Sequence, residues 1–378
     1  MKNFVLSALT CLILLMAPAG PPEAIGAKIP AKEEKTWRIA MVCSGPFIEY
    51  QLIFQGLLSG LQEQGLIENG AVPLGENESL APMWAWASAH AGGRRLVFVG
   101  DAFYSDDWDQ ERREPLKQQL LERIRNKKDI DLILTFGTWA GQDLASEDLA
   151  LPVLVSSVTN AMEAGIITSP DDSGRDNLWA SIEPGRYELQ LRIFHDIFSF
   201  SRLGIAYDDS PSGRSGIALD EIEKAALDLG VELVRCTDAM DIPDADLSAD
   251  RLLACHRKLV EQGVEAVYVT YSLGMVPKRI PEILSPLIKA RIPTFSQLGS
   301  DEVRHGALLS ISQDNLLDEG RFSASAMAEV MRGKKPRSLP QRYESTISLA
   351  VNLRTAMLIG WNPPMEILAA VDQFYQDF

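Results

Sequence analysis

Short apolar runs alternate along this chain with longer stretches whose apolar positions recur every third or fourth residue, and several of those stretches close on glycine. Such alternation predicts buried strands joined by amphipathic helices, the pattern of a parallel sheet covered on its faces. The first run, 38–43, reads as a strand. It leads into a helix over 50–64 that buries Leu57, Leu58 and Leu61 and stops at Gly65. Residues 68–91 show no period and are expected to be irregular, with no evident role for Trp84 and Trp86. A second strand is predicted over 95–99, running out into Gly100-Asp101-Ala102-Phe103-Tyr104. A helix over 114–126 then carries Leu116, Leu120, Leu121 and Ile124 on one face.

The run 132–134 is too short for a helix and meets the turn Thr135-Phe136-Gly137-Thr138. Beyond it, 139–144 reads as a helix with Thr138 as N-cap, and 152–155 as the next strand. In a right-handed βαβ unit that turn lies at the carboxyl edge of the sheet, where open α/β proteins bind ligands. Thr138 then offers a hydroxyl and a helix N-terminus to an anionic group. The series resumes after Asn177 with helices over 187–198, 216–229, 251–261 and 280–289, and with strands over 203–207, 231–235, 266–270 and 292–295. Two similar lobes follow. The last stretch, 362–378, sets Ile367, Leu368, Val371 and Phe374 at helical spacing and predicts a terminal amphipathic helix.

Aromatic residues gather where these strands end. Phe47 follows the first, Phe103 and Tyr104 the second, Phe136 and Trp139 the third, while Tyr207 and Tyr271 close strands of the second half. If two lobes face each other across those edges, the rings line a cleft able to stack on a planar ligand or to hold a cation.

At 378 residues and 46% hydrophobic, the chain can fill the cores of two lobes. A formal charge of -16 and a pI near 4.8 exclude nucleic acid and anionic membrane surfaces as partners. The amino terminus has Lys2, an apolar run over 4–16, and small residues at 17–20 and 24–27. It reads as a signal peptide over 1–27, cleaved after Ala19, Gly26 or Ala27, which sends the protein to the periplasm or another extracytoplasmic space. Cys11 lies within the apolar run and is not read as a lipid anchor. Export permits Cys236 and Cys255 to pair, and Cys43, ending a buried strand, is expected to be an inert thiol. Asp238, Asp241, Asp244, Asp246 and Asp250 lack the glycine and terminal glutamate of a calcium loop and read as a solvated acidic turn. No cofactor or metal is expected. The chain has no G-x-S-x-G, no H-E-x-x-H and no Walker loop, so a hydrolase finds no constellation to act through.

Several pieces together resemble the ABC-transporter substrate-binding family that includes binders of tryptophan and other aromatic amino acids, within the type I periplasmic-binding-protein fold. They are Asp131-Leu-Ile-Leu-Thr-Phe-Gly-Thr138, Leu151-Pro-Val-Leu-Val-Ser-Ser-Val-Thr-Asn160 with Ala164-Gly165, Asn177, Leu203-Gly-Ile-Ala-Tyr207, His305-Gly-Ala-Leu308, the stretch from Asp314 to Gly320, and Asn352-Leu-Arg-Thr-Ala356 with Gly360. The resemblance implies an α/β fold of two doubly wound, Rossmann-like parallel-sheet lobes joined by a three-crossover hinge, with the ligand cleft between them. It assigns 36–180 with 308–340 to the first lobe and 181–307 with 341–378 to the second. It implies a monomeric receptor that binds a small aromatic or carboxylate-bearing ligand and is recognised by an ABC permease in the membrane. An exported sensor signalling to another membrane partner is the alternative. Thr138 would hold a ligand carboxylate, Thr159 and Asn160 would line the first lobe, and Tyr207, Ser272, Gln297 and Asp314 would approach from the second lobe and its crossover. Phe47, Phe136, Trp139 and Tyr271 complete the expected site. Where the family shows Asp-Pro this chain has Asn160-Ala161, and where it shows an acid after the strand ending at Val269 it has Thr270-Tyr271-Ser272. Those losses argue against an ammonium ligand, with Asp314 the remaining acid.

Overall fold

The computed structural model describes residues 35–75, 78–145, 149–311, 316–344 and 348–378; the signal-peptide segment and Asp314 lie outside them. The first sheet is built by β1 (Trp37–Cys43), α1 (Ile48–Glu63), α2 (Ala81–His90), β2 (Leu96–Ser105), α3 (Gln110–Asn126), β3 (Leu132–Phe136), α4 (Thr138–Ala145), β4 (Val153–Ser156) and β5 (Leu178–Ala180). Its strands run parallel in the order β2-β1-β3-β4-β5. β3 is buried at every position, as a strand covered on both faces must be.

Two expectations fail in this lobe. Residues 81–90 are helical, and Trp84 is fully buried, its ring edge-on to Phe98 at 5.4 Å and its Nε1–H donating to the Val99 carbonyl at 3.1 Å. The helix hides from a period search because its exposed face is alanine rather than charge, leaving no contrast around the axis. β2 also runs on to Ser105. A shift in its register with β1, from Ile39 opposite Phe98 to Met41 opposite Phe103, absorbs Gly100 and its neighbours and draws Phe103 and Tyr104 into the strand.

The second sheet follows α5 (Arg186–Phe198). It comprises β6 (Arg202–Tyr207), α6 (Pro211–Gly216), α7 (Leu219–Leu229), β7 (Glu232–Thr237), α8 (Ala245–Glu261), β8 (Ala266–Val269), α9 (Ile280–Lys289), β9 (Thr294–Ser296), α10 (Ser300–Arg304) and β10 (Leu309–Ile311). After α11 (Leu316–Met331) come β11 (Leu349–Asn352), α12 (Leu353–Ile359), α13 (Met365–Ala369) and β12 (Val371–Tyr375). The order is β12-β11-β10-β9-β8-β6-β7, parallel except between β10 and β11. That exception follows from the path: the chain leaves this sheet at the end of β10 and re-enters beside it, so β11 must run back.

The helix expected over 216–229 breaks at Ala218, whose φ of 52° is left-handed, giving α6 and α7. The terminal helix is corrected too: Val371 to Tyr375 alternates buried and exposed with a period of two and adds an edge strand. Leu309 to Ile311 pairs with β9, so the first lobe regains the chain at α11 and not at 308. α11 lies so close along α1 that a Cβ on Gly56 would stand 2.1 Å from the Leu317 carbonyl oxygen and one on Gly320 2.1 Å from that of Ile53. The Cys236–Cys255 bridge forms between β7 and α8, and Cys43 is a buried free thiol whose pKa is pushed up to about 12 by burial.

The chain crosses between the lobes three times: at 181–185, between β10 and α11, and after Pro340. The first and third crossings pair directly. The Ile182 N–H donates to the Gln341 carbonyl at 3.0 Å and the Tyr343 N–H to the Ile182 carbonyl at 2.8 Å.

Candidate functional site

A cleft open in part to solvent separates the lobes where the strands present their carboxyl ends. Each strand of the first sheet delivers a lining residue just past its end: Phe47 after β1, Trp108 after β2, Thr138 and Trp139 after β3, Ser157 to Thr159 after β4, and Ser181 to Glu183 after β5. The second lobe answers with Ser212 after β6, Asp241 after β7, Tyr271 after β8 and Gln297 after β9. A doubly wound sheet places its variable loops at this edge, so the topology fixes the cleft.

The walls are aromatic. Phe47 meets Tyr50 at 5.2 Å and, across the cleft, Tyr271 at 5.7 Å, both edge to face. Trp108 stands 6.5 Å from Tyr271 and 5.8 Å from Trp139. Backbone and side chain both hold Trp108, its N–H donating to the Ser44 carbonyl at 2.9 Å and its Nε1–H to the Pro46 carbonyl at 3.0 Å. One face of Trp139 carries the Arg113 guanidinium 4.9 Å from the ring centre, and its Nε1–H donates to Ser212 Oγ of the other lobe.

Among the described residues, the Tyr271 hydroxyl, which lines the cleft, is buried without a hydrogen-bond partner, and the Ser181 hydroxyl is buried near Glu319. Gln297 holds Tyr271 in place, accepting its N–H at Oε1 over 2.8 Å while Nε2 donates to the Ile217 carbonyl at 2.9 Å. Among the described residues that line the cleft, Glu49, Glu183, Asp241 and Glu319 are acidic and Arg186 alone is basic. Arg186 Nη1 donates to Glu183 Oε2 at 2.7 Å. Burial pushes Asp241 and Glu319 each up to about 7, with Asp208 adding repulsion at the first and Ser157 N–H offsetting part of the rise at the second. Asp208 also orders the loop, accepting the Met240 and Asp241 N–H groups at Oδ2 over 3.0 and 3.2 Å.

Of the residues expected from sequence, Phe47, Thr138, Trp139, Thr159, Tyr271 and Gln297 line the cleft. Phe136 and Tyr207 do not: each is the last residue of its strand and is packed into a lobe core. Side chains alternate along a strand, so a ring one position too early turns to the helices instead of the cleft. Ser272 is buried against Ser248 Oγ at 3.3 Å. Asn160 sits at the lobe junction, donating from Nδ2 to Asp220 Oδ1 at 2.7 Å, with Oδ1 accepting the Met162 and Glu163 N–H groups. Asp314 is outside the described residues. Trp108 escapes the sequence pattern because a strand ending at 99 leaves it deep in a loop, although an aromatic just past a strand is the signal that finds Phe47. Asp241 falls in what the sequence presents as a solvated turn, and Glu49 and Glu319 sit in first helical turns, where acids are ordinary. The acids of the cleft therefore come from elsewhere in the chain, Glu49 and Glu319 from the first turns of α1 and α11 and Asp241 from the loop after β7.

A family model described as ABC transporter substrate binding protein matches residues 105–374. Comparison with curated proteins returns no match. Among solved structures, a conserved domain protein from Vibrio cholerae is similar with a TM-score of 0.68 at 19% identity, covering 90% of this chain and all (100%) of that one. An ABC domain from Streptococcus pneumoniae in complex with L-Trp gives 0.67 at 19% identity, again over 90% of this chain and 100% of that one. A ligand-free, open substrate-binding protein with adhesive properties from Clostridium difficile gives 0.61 at 15% identity, over 91% and 100%. The model match spans most of the chain and the fold agrees with it, so this protein belongs to the ABC transporter substrate-binding protein family.

Proposed function

We propose that this protein is the extracytoplasmic receptor of an ABC importer. It binds a small ring-bearing ligand between its lobes, closes around it by bending at the crossovers, and presents the closed form, as a monomer, to a membrane permease. The lobes are 36–180 with 316–340, and 186–311 with 348–378. The buried hydroxyl of Tyr271, unpartnered among the described residues, carries the reading, because a buried polar group without a partner costs free energy that a ligand or water in the cleft offsets. Phe47, Thr138, Trp139 and Thr159 share the lining with it, and Gln297 holds it in register. The S. pneumoniae relative with L-Trp bound supports a ring-bearing ligand. Family and fold are those of substrate-binding proteins.

A thermal-shift screen against amino acids, aromatic carboxylates, nucleosides, sugars and polyamines tests this. A ligand of the folded state at 100 times its Kd adds about 2.7 kcal/mol, a clear rise in melting temperature. The rise is expected to vanish in Thr138→Ala and Tyr271→Ala. A well-folded protein that shifts with nothing in the set refutes the reading.

A further inference from the structure

Gln297 is only 2% exposed, and both ends of its side chain are engaged inside the second lobe. Oε1 accepts the Tyr271 N–H at 2.8 Å, just past β8, and Nε2 donates to the Ile217 carbonyl at 2.9 Å, between α6 and α7. Its backbone is tied as well: the N–H donates to the Val269 carbonyl at 2.9 Å, and the carbonyl accepts Gln190 Nε2 of α5 at 3.2 Å. A side chain so placed braces a cleft ring against an elbow of the backbone. That elbow turns at Ala218, whose φ of 52° is left-handed, and it carries two of the contacts that join the lobes. On α6, Ser212 Oγ accepts the Trp139 Nε1–H of the first lobe. In the first turn of α7, Asp220 Oδ1 accepts Asn160 Nδ2, also of the first lobe, at 2.7 Å. The next residue, Glu221, accepts the N–H groups of Gly185 and Tyr187 at 3.0 and 3.1 Å, and so holds the start of α5, where the chain comes off its first crossing. One short element therefore meets a cleft wall, two interlobe contacts and the hinge.

We infer that Gln297 is a positioning residue: through the α6–α7 elbow it couples the Tyr271 wall of the cleft to the contacts of Trp139 and Asn160, so that filling the cleft and closing the lobes are one event. The inference rests on the interlobe cleft being the ligand site. Buried hydrogen bonds hold their geometry because leaving one unmade costs free energy. A shift of the Tyr271 backbone therefore carries the Gln297 amide with it, and the amide carries Ile217. A left-handed alanine is kept only by the contacts around it, so loosening the Ile217 carbonyl lets the elbow relax and withdraws Ser212 and Asp220 from the first lobe. Coupling is reciprocal, so the contacts at Trp139 and Asn160 in turn steady Tyr271.

Hydrogen exchange in the ligand-free protein tests this from both ends. Gln297→Met removes both side-chain bonds at similar volume. It is expected to quicken exchange of the Trp139 indole N–H, in the other lobe, by about fivefold or more, although Gln297 hydrogen-bonds to neither Trp139 nor Ser212. The Trp84 indole N–H, donated to the Val99 carbonyl within the first lobe, is expected to keep its rate and reports an intact fold there. Ser212→Ala, which cuts the interlobe contact on α6, is expected to quicken the Tyr271 amide by a similar factor. A merely local brace gives neither crossed effect: Gln297→Met would free the Tyr271 amide and leave Trp139 as it was. That result, or a Tyr271 amide unmoved by Ser212→Ala, overturns the coupling. A Trp139 indole that exchanges at the free-peptide rate in the unaltered protein overturns it too. Should Gln297→Met fail to fold, Ser212→Ala decides alone. No ligand enters the measurement, so its failure leaves the receptor reading standing, and the thermal-shift screen judges that reading separately.

Discussion

Asn160 and Asp220 join the two lobes: Nδ2 of the first, on the turn after β4, donates to Oδ1 of the second, at the start of α7, at 2.7 Å. The other end of the Asn160 side chain is occupied, accepting the N–H groups of Met162 and Glu163 over 3.2 and 3.1 Å. Asn160 therefore ties one lobe to the other and is not among the residues that line the cleft. Asn160→Asp keeps the two accepted bonds and sets a carboxylate against Asp220. A hydrogen bond to a charged group is worth about 1.5 kcal/mol or more, so closure and ligand affinity are expected to fall on the order of tenfold, with thermal stability of each lobe little changed. Calorimetry with the best ligand, and small-angle scattering for opening, check it; unchanged affinity refutes the latch.

On the proposed function, the same junction is expected to make closure depend on pH. Burial, and then the charge of Asp220, push Glu163 up to about 7 from an ordinary 4.5. A carboxyl whose pKa is raised in the closed form binds its proton more tightly there, so closure gains as pH falls from about 7 toward 4.5 and loses as pH rises. Burial holds Asp241 and Glu319 near 7 as well, and they act with the same sign. The ligand-free protein is thus expected to be more compact at about pH 5 than at about pH 8, and Glu163→Gln to reduce that difference. A scattering radius independent of pH would sink the claim.

The parts of this arrangement legible in the sequence are those that depend on local chemistry. Apolar runs broken by glycine-stopped helices gave both lobes, and the turn at Gly137-Thr138 lies at the cleft as a βαβ crossover requires. What escaped depends on register or on distant chain. Phe136 and Tyr207 differ from Thr138 and Ser212 by a few positions, but the strand end decides which way a side chain turns. Asp241 gained its meaning from Asp208, and Glu319 from Ser157, contacts between loops far apart in the chain. No periodicity reports such pairs. β12 escaped for a third reason: an edge strand half covered by its own lobe offers too little alternation to outvote helical spacing over so short a stretch.

The disulfide brackets the Asp241 loop. Cys236 is the last residue but one of β7 and Cys255 lies on α8, 19 residues later, with Asp241 between them. Closing a loop of that length removes unfolded-chain entropy worth about 3 kcal/mol. Cys236→Ser with Cys255→Ser is expected to lower urea stability by about that amount. It should also loosen the loop, so that amide exchange between 238 and 244 quickens in the folded protein. Stability equal to wild type under oxidising conditions would show that the bridge does not form.

Gly45 sets the position of Trp108, and through it one wall of the cleft. A Cβ at Gly45 would stand 2.5 Å from the Trp108 indole, whose backbone is already fixed by the bond from its N–H to the Ser44 carbonyl. Trp108 itself has a left-handed φ of 58°, and Asp107 before it one of 55°, so the segment has little freedom to yield. Gly45→Ala is therefore expected to swing the indole rather than shift the backbone. That breaks its Nε1–H bond to the Pro46 carbonyl and its contacts with Tyr271 and Trp139. Overpacking of this kind costs roughly 1–3 kcal/mol, small against the burial in either lobe, so the protein should fold while its ligand affinity drops by tenfold or more. Tryptophan fluorescence, shifted to the red as the indole meets water, reports the swing independently of binding. A variant with wild-type emission and wild-type affinity would show that Trp108 is not part of the ligand wall.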